Sequence, residues 1–221
     1  MPRAPYASER AAVAAAARRL ADAGLLIGTA GNVSTPLDGG RIAVTATGVV
    51  LAECTPEAVT VVDGRGTVLA GDLAPTSELE LHLGLRTRGA VVHTHAPWAT
   101  ALACVLEELP VLHYQQLLLG GPIAVAPYAT FGTPELAASV SVALADRQAA
   151  LMANHGSVTV GPTLDQAVEN ALLLEWLCQL HHRASALGTP RALTDEQQAA
   201  VVEQAIRQRY GSPRPAHEED R

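Results

Sequence analysis

Helical and extended patterns alternate along the chain when its apolar and polar positions are read in order. From Ser8 to about Ala23 an Ala-rich run of high helical propensity is stopped by Gly24, where a left-handed cap is favoured. Gly28-Thr-Ala-Gly-Asn-Val-Ser34 reads as a glycine-punctuated loop. Extended runs follow at about 41–46, 59–63 and 67–70, the last two joined by the hairpin signal Asp63-Gly-Arg-Gly66. A helix is predicted to open at Pro75-Thr-Ser-Glu-Leu-Glu80, with Ser77 and Glu80 as a capping box and Glu78 in the first turn. Strands are expected at 90–95, 110–114 and 122–126, and a strand or strand pair over 149–160.

Thr133-Pro134 announces a helix to about Arg147, threonine as N-cap and proline at the first helical position. The longest helix, about 164–187, carries a Thr163-x-x-Gln166 box and ends at Gly188; a last one runs from Thr194-x-x-Gln197 to about Tyr210. No internal repeat or low-complexity linker divides this pattern. The expectation is one α/β domain over 1–211, helices packed on a sheet, with a flexible tail over 212–221.

Composition narrows the function. The 221 residues are 48% hydrophobic and 17% charged, enough for one sizeable core. A net charge of −7 and 3% aromatics disfavour a nucleic-acid surface, whether basic or base-stacking. No segment approaches the roughly 18 apolar residues of a membrane span, so a cytoplasmic location without membrane partners is expected. Cys54, Cys104 and Cys178 are widely separated and odd in number, which suggests neither a disulfide framework nor a cysteine zinc site. All 15 basic residues are arginine. Without lysine there is no Schiff base and no P-loop lysine, so carbonyl or phosphate chemistry falls to a metal, arginines, hydroxyls and backbone N–H groups.

Candidate chemistry gathers at four residues: His93 and His95 in Ala90-Val-Val-His-Thr-His-Ala96, His155 in Ala153-Asn-His-Gly156, and Glu78 in Pro75-Thr-Ser-Glu78. Strand residues two apart share a face, so one strand aims two imidazoles at one point. His155 is a candidate third zinc ligand, and Glu78 can bind the metal or act as a base. An isolated strand histidine is more often a hydrogen-bonded core residue; the turn and glycine neighbours of these four favour display at a site. His82, four residues after Glu78, is a conceivable alternative ligand, with a supporting or core role preferred; His113 reads as structural, His181, His182 and His217 as solvated, and Trp98 and Trp176 as packing. Gly31-Asn32, Thr47-Gly48 and Thr76-Ser77 are small or polar pairs at turns or helix starts, able to cradle an anion if they meet.

The runs Gly28 to Ser34, Pro75 to Glu78, Val91 to Ala96, His113-Tyr114, Ala126-Pro-Tyr-Ala-Thr-Phe-Gly-Thr133 and Asn154-His-Gly156 together resemble the zinc-dependent class II aldolases of the L-fuculose-1-phosphate type, from about residue 10 to 211. The same superfamily holds sugar-phosphate epimerases, dehydratases and the metal-free head domains of adducins. The resemblance implies a central, mainly antiparallel or mixed sheet flanked by helices. It implies one Zn2+ per subunit, held by Glu78, His93, His95 and His155, with Glu78 also the acid/base. It implies that Gly31, Asn32, Thr47, Gly48, Thr76 and Ser77 hold the phosphate of dihydroxyacetone phosphate, and that Tyr114, Phe131 and Tyr210 handle the aldehyde.

The activity so implied is reversible cleavage of a deoxyketose 1-phosphate, L-fuculose 1-phosphate or a 5-deoxypentulose relative, to dihydroxyacetone phosphate and an aldehyde such as L-lactaldehyde. The alternatives are a related epimerase or dehydratase, and an adducin-like scaffold, which the intact ligand set argues against. The family also implies a homotetramer in which the C-terminal tyrosine reaches a neighbour's site. This chain departs from the pattern at Thr76, where serine is common, and in a tail with no match.

Overall fold

The computed structural model describes residues 6–210; the tail expected to be flexible lies outside them. Among the described residues nine strands form one sheet, ordered β4-β3-β2-β1-β5-β9-β8-β7-β6. They are β1 (Asn32–Leu37), β2 (Arg41–Thr45), β3 (Val59–Val62), β4 (Val68–Ala70), β5 (Ala90–Thr94), β6 (Glu108–Leu109), β7 (Ile123–Ala126), β8 (Ala149–Met152) and β9 (Gly156–Gly161). Every pairing is antiparallel except β7 with β8, so the sheet is mixed, as the resemblance implied.

Six helices cover it: α1 (Ala7–Asp22), α2 (Leu79–Leu85), α3 (Pro97–Ala103), α4 (Pro134–Leu144), α5 (Leu164–Leu187) and α6 (Asp195–Gln208). Strand residues alternate faces, and the two cores show it. Val33, Ala43, Val61, Ala90, Val92, Ala149 and Leu151 join α1, α3 and α5 on one side. Val91, Ala150, Met152, Val158 and Val160 meet α2 and α4 on the other. Because both faces are covered, the central strands read as continuous apolar runs. The polar exceptions then stand out: Asn32, Ser34 and His93 all project toward the α2 side and all are buried.

Local chemistry explains the helix ends. After α1, the N–H groups of Gly24 and Leu25 bond the carbonyls of Ala21 and Leu20, and Gly24 has φ +76°, the Schellman arrangement its position predicts. Thr133 and Thr163 cap α4 and α5, and only Thr194 with Gln197 forms the full reciprocal box.

Several expectations need correction. Of the loop expected over 28–34, Asn32 to Ser34 belong to strand β1: its Pro36 is tolerated because β5 pairs only with Asn32 to Ser34 and leaves that end of β1 unpaired on one side. The strand expected at 110–114 ends at Leu109, since Pro110 lacks a donor and a 3-10 turn begins at Tyr114. The helix begun at Pro134 stops at Leu144, where Ala145 adopts φ +42°. No Ser77–Glu80 box forms; instead Thr76 Oγ1 accepts from the Glu78 N–H at 3.2 Å, and Glu78 is the N-cap residue, not a first-turn residue.

Candidate functional site

β5 and the β8–β9 turn supply the imidazoles. His93 stands opposite Asn32 of β1 and Val158 of β9, fully buried in the middle of the sheet. His95 follows the strand end, and His155 sits in the turn after Met152, its N–H bonded to that residue's carbonyl. The turn passes close to β5 because residue 156 is glycine: a Cβ there would collide with the Thr94 carbonyl. The three rings pack edge to face with centroids 4.8–4.9 Å apart. One nitrogen from each lies within 4.8 Å of the other two.

Glu78 completes the group from the N-cap of α2. Its Oε2 is 3.1 Å from His93 Nε2 and accepts from Asn32 Nδ2 at 2.9 Å, while Oε1 is 3.5 Å from His155 Nε2. Burial opposes its ionisation, but His93, the Asn32 amide and His155 outweigh it and hold the carboxyl well below the usual carboxylate range. Burial likewise pushes His95 down to about 4, helped by His93 and His155, and lowers His155, so both rings are neutral near pH 7.

The donor set fits a metal. His93 Nδ1 lies 2.9 Å from the Ser157 carbonyl, and a donating Nδ1–H there leaves Nε2 for a ligand. His93 Nε2 and His95 Nε2 are only 3.0 Å apart. A proton between two of these groups satisfies two of them, whereas a cation satisfies them all. Glu78 Oε1 is the telling atom: buried, ionised and without a hydrogen-bond partner, it faces the imidazoles.

The group opens onto a cavity of about 300 Å3, lined by Gly31, Asn32, Thr47, Gly48, Thr76, Ser77, Glu78, His95, His155 and Phe131 among others. Every proposed cradle residue therefore reaches the same space as Glu78, His95 and His155, while His93 lies buried behind them and does not line it. Gly31 is required where it stands: φ is +93°, and a Cβ would lie 2.6 Å from Leu26 Cδ2 and 3.0 Å from the His93 carbonyl. Not all cradle groups are free, for the Thr47 N–H is bonded to the Ala74 carbonyl at 3.0 Å and the Asn32 amide is engaged with Glu78.

Residues 11–182 match the family model described as Class II Aldolase and Adducin N-terminal domain. The chain belongs to the class II aldolase and adducin family. A 5-methylthioribulose-1-phosphate/5-deoxyribulose-1-phosphate aldolase of Rhodospirillum rubrum is 36% identical over 193 residues, 85% of this chain and 86% of that protein. The L-fuculose phosphate aldolase of Escherichia coli K12 is 38% identical over 186 residues, 81% and 86% of the two chains. A solved L-fuculose 1-phosphate aldolase superposes with a TM-score of 0.85 at 31% identity, covering 90% of this chain and 96% of the other. This chain is thus a class II aldolase, a lyase of a family that uses a divalent metal, and its three-histidine group can hold one.

Two expected site residues of this class II aldolase stand apart from the cavity. Tyr114 and Tyr210 have their hydroxyls 3.3 Å from each other and line a separate apolar groove of about 700 Å3 between α6 and residues 114–118. Phe131 is at the cavity but 64% exposed at its rim. Thr29, Tyr128 and Asn154 also line the cavity and were not singled out in sequence, although all three lie in the quoted motifs. The left-handed φ of +56° at Asn154, which turns the chain into His155, is the backbone signal behind the Asn-His-Gly run. His82 is fully buried and His113 Nδ1 accepts from the Gln115 N–H; His182 is exposed, as expected, with one ring face against Trp98, while His181 is half-buried, and His217 lies outside the described residues.

Proposed function

We propose that this class II aldolase reversibly cleaves a deoxyketose 1-phosphate, L-fuculose 1-phosphate first, to dihydroxyacetone phosphate and an aldehyde such as L-lactaldehyde. The observation that carries the reading is the meeting, in one cavity, of Glu78, His95, His155 and the polar pairs of the cradle, with the fully buried His93 converging on the same point from behind and one Glu78 oxygen left without a hydrogen-bond partner. In this reading His93, His95, His155 and Glu78 hold one Zn2+ per subunit. The bound ion supplies Lewis-acid stabilisation of the negative charge that carbon–carbon cleavage leaves, a task no lysine in this chain can take.

The protein groups do the rest. Gly31, Asn32, Thr47, Gly48, Thr76 and Ser77 receive the phosphate through hydroxyls and backbone N–H groups at the β1 start, the β2 end and the α2 start. Glu78 is the acid/base. In the condensing direction Oε1 takes a proton from the hydroxymethyl carbon of dihydroxyacetone phosphate, and in cleavage it returns that proton to the same carbon. Phe131 shapes the rim at the aldehyde end.

Tyr114 and Tyr210 belong to the aldehyde end through assembly. The reading is a homotetramer in which they approach the site of a neighbouring copy. What supports it is α6, which among the described residues buries no side chain, with Val202, Ile206 and the following Tyr210 exposed beside Leu118. A cytoplasmic site of action fits the free cysteines and the absence, among the described residues, of a helix able to cross a membrane.

The names of two relatives favour a second substrate in the same chemistry: proteins 36% and 34% identical, from Rhodospirillum rubrum and Bacillus thuringiensis, are named for 5-deoxyribulose 1-phosphate cleavage. A coupled assay for dihydroxyacetone phosphate with both sugars, before and after exhaustive chelation, tests the proposal. Turnover must require metal and return when zinc is restored. Full activity after complete metal removal refutes the mechanism.

A further inference from the structure

A buried chain of hydrogen bonds runs behind Glu78. His82 lies four residues on, one helical turn along α2, and is fully buried; it is absent from the cavity lining. Ser34 and Asn32, two apart on β1, face it. Ser34 Oγ is 2.7 Å from His82 Nδ1, His82 Nε2 is 2.6 Å from Asn32 Oδ1, and Asn32 Nδ2 is 2.9 Å from Glu78 Oε2. Side chain to side chain bonds are only about 10–15% of those in folded proteins, and three in series in a dry interior must be satisfied together.

The direction of each bond follows from the one before it. A carboxylate only accepts, so Asn32 turns its NH2 to Glu78 and its Oδ1 to His82. That oxygen also only accepts, which puts the proton of neutral His82 on Nε2. Nδ1 is then bare, and the Ser34 hydroxyl donates to it. Burial above all pushes His82 down to about 3 and keeps its ring neutral.

We propose that His82, acting through Asn32, is a positioning residue that anchors Glu78 Oε2 so that Oε1 is presented to the cavity. The inference deepens the aldolase reading and rests on it. Without the Nε2 donor, Asn32 Oδ1 is left buried and unpaired and the Ser34 hydroxyl loses its acceptor, so the amide that holds Glu78 Oε2 is itself no longer held. The carboxylate then rotates and its working oxygen leaves its place beside His155.

Nitrogen-15 NMR of the imidazoles in the metal-free wild-type protein at pH 7 tests the network without any variant: His82 is expected to carry its proton on Nε2, and a proton on Nδ1 overturns the proposal. Two variants then separate positioning from packing. His82→Leu removes the donor, while the amide nitrogen of His82→Gln can take the place of Nε2. In His82→Leu, kcat is expected to fall about 10–100-fold with KM little changed, and zinc affinity, measured by chelator competition, to weaken in parallel. His82→Gln restores most of both. A packing role would instead lower thermal stability in both variants without this split. A folded His82→Leu protein with wild-type kcat and zinc affinity overturns the proposal, as does a folded His82→Gln protein no better than it. If the wild-type protein cleaves no sugar phosphate, the aldolase reading fails, whereas the imidazole spectrum and zinc affinities still decide the relay.

Discussion

Glu78→Gln isolates the acid/base step from metal binding. Glutamine has the same length, and its carbonyl oxygen can take the place of Oε2, accepting from Asn32 Nδ2 across the same 2.9 Å. The NH2 then falls where Oε1 now stands, near His155 Nε2 and without a partner. An amide nitrogen has no basic lone pair, so the proton acceptor is removed while the shape is kept. Positioned acid/base catalysis contributes about 10²–10⁴ in rate, and at about 1.4 kcal/mol per factor of ten the barrier should rise by about 3–5 kcal/mol. Metal binding should suffer less, because His93, His95 and His155 still converge. The specific assay is exchange of the hydroxymethyl proton of dihydroxyacetone phosphate in D2O, followed by proton NMR on metal-saturated protein, with metal content measured by atomic emission. Near-normal exchange in the variant would remove Glu78 from its role; lost exchange with much of the metal still held by the three histidines is the expected result.

His95→Ala should lower metal content and turnover together, since one of three converging nitrogens is lost; unchanged zinc stoichiometry would count against the ligand set. Gly31→Ala should destabilise the protein by on the order of 2 kcal/mol or more, from the left-handed backbone and the Leu26 clash. Urea denaturation reads it, and a midpoint equal to wild type would contradict the geometry. Size measurement in dilute solution should find a tetramer, in which Tyr210→Phe impairs aldehyde use without altering zinc content. A fully active monomer would refute the shared site.

The fold was legible wherever local chemistry decides local structure. Thr133-Pro134, Gly24 and Thr194 with Gln197 mark helix ends through bonds made within a few residues, and each does so in the structure. α3 was missed because its cap is not local. Ala96 has no side chain able to cap, and the Trp98 and Ala99 N–H groups instead donate to the carboxylate of Glu175 on α5, at 2.9 and 2.8 Å. Pro97 at the first helical position was the only nearby signal. β1 was hidden for a related reason: Asn, Ser and Pro make a poor strand by propensity, and pairing with β2 and β5 overrides it.

That same override made half of the site unreadable. His93, His95 and His155 announce themselves as a ligand set in one dimension, but the group that steers Glu78 is assembled across the sheet. Once 32–34 is recognised as strand, Asn32 and Ser34 must share a face, and the register Asn32 opposite His93 makes it the face that carries the metal candidates. His82 is brought there by one turn of α2 from Glu78. A polar, turn-like composition on a central strand is thus not a weakness of that strand. It is the price of threading a hydrogen-bonded support between two apolar clusters on the α2 side of the sheet, which is where a carboxylate in a dry cavity needs one.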